Sequence, residues 1–280
     1  MKRSAVKENI GSRFKQVDLY LDPMNSRLKI MDFPKMTAEV LEDIKSYAAQ
    51  MNFGKILCNC RIEALGSFIQ SGFTEEGHID GFFNGDTAYC VSYFINGDRE
   101  ISVQEEVKDK IIAHCQASER VTGSSIQDRI LIRDAEERDI PQMIGLFKEI
   151  FETYPSPVFD ADYLRNSMQT KTMFKVAIMD GEILSIASAD MDLKNKNAEI
   201  TDCATKPIHR GKGLLTYLIA QLEESLRQKE FKTLYSLSRA IEPGINKALW
   251  KMHYEYSGRL VNNCDICGGF EDMNIWVKRL

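Results

Sequence analysis

Between Pro207 and Thr216 the chain reads Pro-Ile-His-Arg-Gly-Lys-Gly-Leu-Leu-Thr. Three basic side chains (His209, Arg210, Lys212) and two glycines (Gly211, Gly213) share one corner between a strand pattern and a helical one. Pro207 has no backbone N–H and ends a strand ladder. The glycines admit backbone angles and close approaches that a Cβ blocks. The helix beyond presents unpaired N–H groups and the positive end of its dipole. Together these features predict an anion cradle, best suited to a pyrophosphate across the helix N-terminus. Glycines alone would make only a tight turn; three cations at the same corner favour an anion site. Neither G-x-x-x-x-G-K-[ST] nor G-x-G-x-x-G occurs there. Two carboxylates, Glu199 and Asp202, stand on the strand leading into the corner. Three residues apart, they face opposite sides of a regular strand, and one of the two is expected to enter the cleft.

The elements that must position these groups follow from periodicity. A strand at 130–133 leads to a helix at about 140–151, and Tyr154-Pro-Ser-Pro157 breaks it before a second helix at 160–169. Two strands meet at Asp180-Gly181, a hairpin signal, and a third ends at the basic corner. Leu215, Leu218, Leu222 and Leu226 give the next helix one buried stripe. A strand, a helix over 245–256 and two last strands complete the order β-α-α-β-β-β-α-β-α-β-β. The first part is less regular. It predicts strands at 17–22, 27–33 and 54–60, helices at 37–51 and ending at Gly72, a hairpin across Asn84-Gly85, and a helical run at 103–115. Its helix-strand-strand tail is like the end of the second part, so a degenerate internal half-repeat is expected. Polar residues 119–128 place a boundary that gives domains 1–125 and 126–280.

The 280 residues, 44% hydrophobic and 28% charged, describe a soluble globular chain with an α/β mixed sheet. A net charge of −5 argues against nucleic acid or an anionic membrane as partner. Seven cysteines and no signal-peptide pattern predict a cytoplasmic protein with reduced thiols. Cys264-x-x-Cys267 and Cys58-x-Cys60 are expected to stay separate, and no metal is expected. His78, His114 and His253 lack metal-ligand spacing.

The stretch from Glu199 to Leu218, with the element order of residues 129–280, resembles the acetyl-CoA site and fold of the GNAT acyltransferases. Their loop, Arg/Gln-x-x-Gly-x-Gly/Ala, is matched by Arg210, Gly211, Lys212, Gly213 and Leu214; Leu215 stands where glycine or alanine is usual. The resemblance implies a GNAT fold in the C-terminal part and acetyl-CoA as cosubstrate. It implies backbone contacts to the carrier's arm from Cys203, Ala204 and Thr205, with Asn246 as a further contact. An alkyl ammonium, pKa about 10.4, is no nucleophile until deprotonated. By resemblance Glu199 is the base, and Tyr254, four residues before Gly258, protonates the leaving thiolate. Asp202 and Tyr256 remain alternatives for the two roles.

Along its whole length, including "HRGKGLLTYLI" and "VNNCDICGGFEDMNIWVK", the chain resembles the beta-lysine N6-acetyltransferase family. This implies a small-molecule amine acceptor, beta-lysine, and a compatible-solute product. An arginine such as Arg239, or a backbone nest, is then expected at the acceptor carboxylate, with Glu271 and Asp272 as either acceptor contacts or ordinary solvated loop charges. The N-terminal part is expected to shape the acceptor side, or to serve as lid or dimer surface, in a monomer or homodimer. Competing readings are acetylation of another small amine, a polyamine or a protein lysine, a non-catalytic acyl-CoA-binding regulator, and a zinc-dependent module.

Overall fold

The computed structural model describes residues 6–9, 17–120 and 129–280. The expected domain boundary at 125/126 lies outside the described residues. Their strands form one mixed sheet in the spatial order β1-β2-β3-β4-β6-β5-β12-β13-β11-β10-β9-β8-β7. The first part contributes β1 (Val6–Asn9), β2 (Asp18–Asp22), β3 (Arg27–Asp32), α1 (Ala38–Gln50), β4 (Lys55–Cys60), α2 (Ile62–Gln70), β5 (Thr74–Phe83), β6 (Asp86–Phe94) and α3 (Glu105–Ala117). The second contributes β7 (Leu131–Asp134), α4 (Ile140–Ile150), α5 (Ala161–Thr170), β8 (Thr172–Met179), β9 (Glu182–Asp192), β10 (Asn197–Thr205), α6 (Leu214–Gln228), β11 (Thr233–Arg239), α7 (Pro243–Lys251), β12 (Glu255–Ile266) and β13 (Gly269–Arg279).

The half-repeat expected from sequence is visible in the pairing. A hairpin, a crossover helix to a parallel strand, a second helix and a final hairpin occur twice, as β2-β3-α1-β4-α2-β5-β6 and β9-β10-α6-β11-α7-β12-β13. The parallel neighbours are β3 with β4 and β10 with β11. The two copies join where β5 meets β12, in register at Gly77 and Gly258. Both have positive φ, 149° and 140°. A Cβ at Gly77 would lie 2.5 Å from the Ser257 carbonyl oxygen, and one at Gly258 2.3 Å from that of Glu76. Only glycine lets these two backbones approach so closely.

Three cores hold the layers. In the first copy Val40, Leu41, Ile44 and Ala48 of α1 and Phe68 of α2 cover one sheet face. In the second, α4 and α5 pack one face through Met143, Phe147 and Leu164, while α6 and α7 cover the other with Leu218, Leu222, Leu226 and Leu249. Ile112 and Cys115 of α3 enter this last core, so the first part of the chain reaches under the second. The α6 stripe starts at Leu214, 2% exposed, rather than at Leu215, which is only partly buried. The expected helix over 245–256 is shorter. It ends at Lys251, His253 takes φ 64°, and Tyr254 lies between helix and strand. Among the described residues no helix is long and apolar enough to cross a membrane.

Candidate active site

Strand β10 makes the site by leaving its partners. It pairs with β11 only over Asn197–Glu199 against Thr233–Tyr235. Beyond that point a bulge interrupts its ladder with β9 between Thr201 and Ala204, and Asp202 takes φ 48°. The opening is a cleft of about 730 Å3, lined among others by Tyr154, Asp202, Cys203, Thr205, Ser238 and Arg239. At its other end it reaches His209, Arg210, Gly211, Gly213, Leu214, Leu215 and Thr216.

The basic corner has the expected geometry. Gly211 and Gly213 have φ of 76° and 79°, and α6 starts after Gly213 with no side-chain cap. Among the described residues, no acceptor is paired with the backbone N–H groups from Gly211 to Thr216. The helix's first bond is Tyr217 N–H to the Gly213 carbonyl, 3.1 Å. Such a run of free donors at a helix N-terminus is a phosphate-binding arrangement. Arg210 is exposed and donates to the Thr205 carbonyl (3.3 Å); Lys212 Nζ is 3.4 Å from His209 Nδ1, but its side chain stays outside the cleft lining. Leu215, where the family has a small residue, lines the cleft wall. Of the expected arm contacts, Cys203 and Thr205 line the cleft. Ala204 is buried with its carbonyl accepting from Ser185 Oγ (3.1 Å).

The bulge overturns the expectation that Glu199 and Asp202 face opposite sides. The irregular turn at Asp202 breaks the two-residue alternation and brings its carboxylate to Ser188, the partner of Thr201 on the Glu199 face; Asp202 lines the cleft and Glu199 does not. Glu199 accepts a long contact from Tyr235 Oη (3.4 Å). Burial pushes its carboxyl up to about 7, helped by Asp190 and Asp202 and opposed by Lys29 and Arg27. Asp202 accepts from Ser188 Oγ (2.8 Å) and is also raised, again chiefly by burial.

Two expected site residues are elsewhere. Tyr254 is fully buried beneath α6, in reach of Glu223 and Lys278, and does not line the cleft. Gly258 is a mid-strand residue against Gly77, whereas the left-handed residue that ends α7 is His253. Asn246 is equally buried. Its Oδ1 accepts from Ser238 Oγ, Asn274 Nδ2 and Trp276 Nε1, all at 2.9 Å, and its Nδ2 donates to the Arg239 and Glu242 carbonyls. With every polar atom engaged it fastens α7 to the sheet and has nothing left for a ligand. Tyr256 packs edge-on against Trp276.

The acceptor-side expectations divide similarly. Arg239 lines the cleft but is paired with Glu271 (2.8 Å) and Glu242 (3.2 Å). Asp272 is fully buried on Lys108 Nζ (2.7 Å), far from any role as a solvent-facing contact. Cys264 and Cys267 are free thiols, as are Cys58 and Cys60, and the described residues contain no metal-binding cluster.

Sequence reading missed two groups. Tyr154, from the segment that breaks α4, is the one phenol lining the cleft; its hydroxyl reaches Thr201 and Asp202, and burial holds it well above the usual tyrosine range. The second group comes from the first copy: Arg27 and Lys29 of β3 lie within electrostatic reach of Glu199, with Asp22 and Tyr20 of β2 as their cross-strand partners. A signal was present, since Arg27 and Lys29 alternate with the apolar Leu28 and Ile30, but it could not say what that polar face meets.

The sequence profile of the acetyltransferase (GNAT) family matches residues 140–258, from α4 to the β5–β12 junction. A beta-lysine N(6)-acetyltransferase of Methanosarcina mazei is 36% identical over 271 residues, 89% of this chain and all of the relative. The N-acetyltransferase YodP of Bacillus subtilis is 33% identical, covering 92% of this chain and 94% of its own. A second beta-lysine N(6)-acetyltransferase, from Methanococcus maripaludis, is 29% identical over 93% and 95% of the two chains. Among solved structures, a ribosomal-protein-alanine N-acetyltransferase from Brucella melitensis aligns over 54% of this chain and 99% of its own, at 20% identity and TM-score 0.47. A splayed strand, free amides at a helix mouth and relatedness over nearly the full length converge: the chain belongs to the GNAT family and is an acetyl-CoA-dependent N-acetyltransferase.

Proposed function

We propose that the chain acetylates the terminal amine of beta-lysine, with Glu199 as the base. The observation that carries this reading is the set of mixed charges gathered around Glu199. There β2 and β3 bring Asp22, Arg27 and Lys29 within electrostatic reach of the Glu199, Asp190 and Lys171 of the second copy. Opposite charges gathered at one place suit a small zwitterionic diamine. A flat acidic groove would suit a protein lysine instead. The names of two relatives point to the same acceptor.

In this reading acetyl-CoA supplies an activated acyl carbon, and the free N–H groups of 211–216 with Arg210 hold its diphosphate. Glu199, poised near neutrality, takes the proton that keeps the acceptor nitrogen from attacking. Asp202 orients Tyr154 through the hydroxyl they share, and Tyr154 replaces Tyr254 as the group that returns a proton to the departing sulfur. Cys203, lining the cleft with its thiol pushed up by burial, is a wall residue. Direct transfer requires no protein nucleophile. Acetyl-CoA consumption measured against beta-lysine, lysine, spermidine and a lysine peptide tests the assignment. Turnover greatest with beta-lysine supports it; a preference for spermidine or the peptide replaces the acceptor.

A further inference from the structure

The β2–β3 hairpin has two unlike faces. Leu19, Leu21, Leu28 and Ile30 enter the core of the first copy. The other face carries the cross-strand pairs Tyr20–Lys29 and Asp22–Arg27. That face is turned on the second copy. Arg27 Nη1 donates to the Asn263 carbonyl (2.8 Å) and lies 3.2 Å from Cys264 Sγ. Tyr20 is within electrostatic reach of Tyr163 and Lys171, and Lys29 is within reach of Glu199.

Sorting the charges around Glu199 separates engaged groups from free ones. Arg27 is paired with Asp22 at 2.8 Å, and Asp22 also accepts from Asn25 Nδ2 at 2.9 Å. Lys171 is paired with Asp190 at 2.6 Å, and Asp202 accepts from Ser188 Oγ. Lys29 makes no hydrogen bond or ion pair with any described residue; its Nζ stands 5.8 Å from the centre of the Tyr20 ring. Glu199 has only its long contact with Tyr235. Lys29 and Glu199 feel each other's charge without closing into an ion pair. An enclosed ammonium without a counter-ion is costly, and an incoming anion offsets that cost.

We propose that Lys29, from the copy that has no acyl-carrier loop, binds the carboxylate of the acceptor and so selects amino acids over plain diamines and polyamines. This rests on the acetyl-transfer reading above and adds the group that decides acceptor class. The amine end then lies toward Glu199. Arg27 beside Lys29, and burial, loosen its proton to about 8; a bound carboxylate restores it.

The test is steady-state kinetics at pH 7 on wild type, Lys29→Met and Lys29→Arg, with beta-lysine, its carboxamide and 1,4-diaminopentane as acceptors. Wild type is expected to prefer beta-lysine. Lys29→Met should raise the KM for beta-lysine about 10- to 100-fold, the effect of losing one charge-assisted bond, with the acetyl-CoA KM near wild type; kcat at pH 7 falls for acid and amide alike, because Lys29 no longer holds the Glu199 carboxyl down. It should also use acid and amide equally, while Lys29→Arg regains part of the preference. If wild type acetylates the carboxamide or 1,4-diaminopentane as well as beta-lysine, the Lys29 assignment falls while acetyl transfer stands. If the preference for the acid survives in Lys29→Met, the assignment falls and the beta-lysine acceptor stands. Turnover of no small amine at all defeats both readings.

Discussion

The same crossover occurs twice in this molecule, and only one occurrence is open. After β3 the chain enters α1 through Thr37, whose Oγ1 accepts from the Val40 N–H (3.4 Å), and Glu39 adds an acidic group to the first turn. After β10 it enters α6 through Gly213, with no side-chain cap and no acid in the first turn. Strand β3 pairs with β4 over four residues, Arg27 to Ile30, and β10 with β11 over three, ending at Glu199. In the first copy a side chain caps the helix start; in the second the amides are left for a ligand. A binding site here is a place where the fold withholds bonds it makes elsewhere. The closed copy is not idle, because its polar hairpin face brings charges within reach of the open one's Glu199.

That contrast can be broken from the strongest side first. Glu199→Gln should lower kcat about 10²- to 10⁴-fold, the usual range for a lost general base, while Asp202→Asn costs less. With a carboxyl held up at about 7, wild-type kcat/KM should rise with pH through that value, and the rise should vanish in Glu199→Gln. Stability carries the opposite sign. The folded state favours the protonated acid, so wild type loses stability as pH climbs from about 4.5 to about 7, and Glu199→Gln should melt higher than wild type at pH 8 but not at pH 4. An identical melting difference at both values would remove the buried-carboxylate explanation.

Next in size is the cap. Gly213→Asp gives the open corner an acceptor like that of the closed one and sets a negative charge where the diphosphate belongs. The acetyl-CoA KM should rise by about 30-fold or more, through lost charge-assisted bonds. An unchanged KM would mean the carrier is held elsewhere. The reciprocal change, Thr37→Ala, should cost about 1 kcal/mol of stability by chemical denaturation and leave both KM values alone. The smallest effect is expected at Tyr254→Phe: kcat within about twofold of wild type, since that hydroxyl reaches no reacting atom. A loss of kcat as large as that of Tyr154→Phe would return the acid role to Tyr254.

The readable part of the fold was the part set by local rules. Strand and helix order from β7 to β13, the Asp180-Gly181 and Asn84-Gly85 turns and the mouth of α6 all follow from periodicity, glycine and proline. Tyr254 and Asn246 depart from expectation for different reasons. Helix propensity continues through Lys-Met-His-Tyr, but His253 adopts a left-handed conformation that turns the chain into β12 and puts Tyr254 in the core. Asn246 stays on α7, where its partners on β11 and β13 use its side chain up.

Sequence alone determined that donors, glycines and cations would share one corner at 209–216, because residues so close in the chain act through local geometry. It also fixed a polar and an apolar face on β3. Tertiary structure decided what those faces meet. Lys29 and Glu199 are far apart in the chain and lie on strands separated by the width of the sheet's centre; the close glycine contact between β5 and β12, with cross-copy bonds such as Arg27 to Asn263, sets the two copies so that one's charges reach the other's. Long-range pairing depends on packing summed over many residues, which no short stretch encodes.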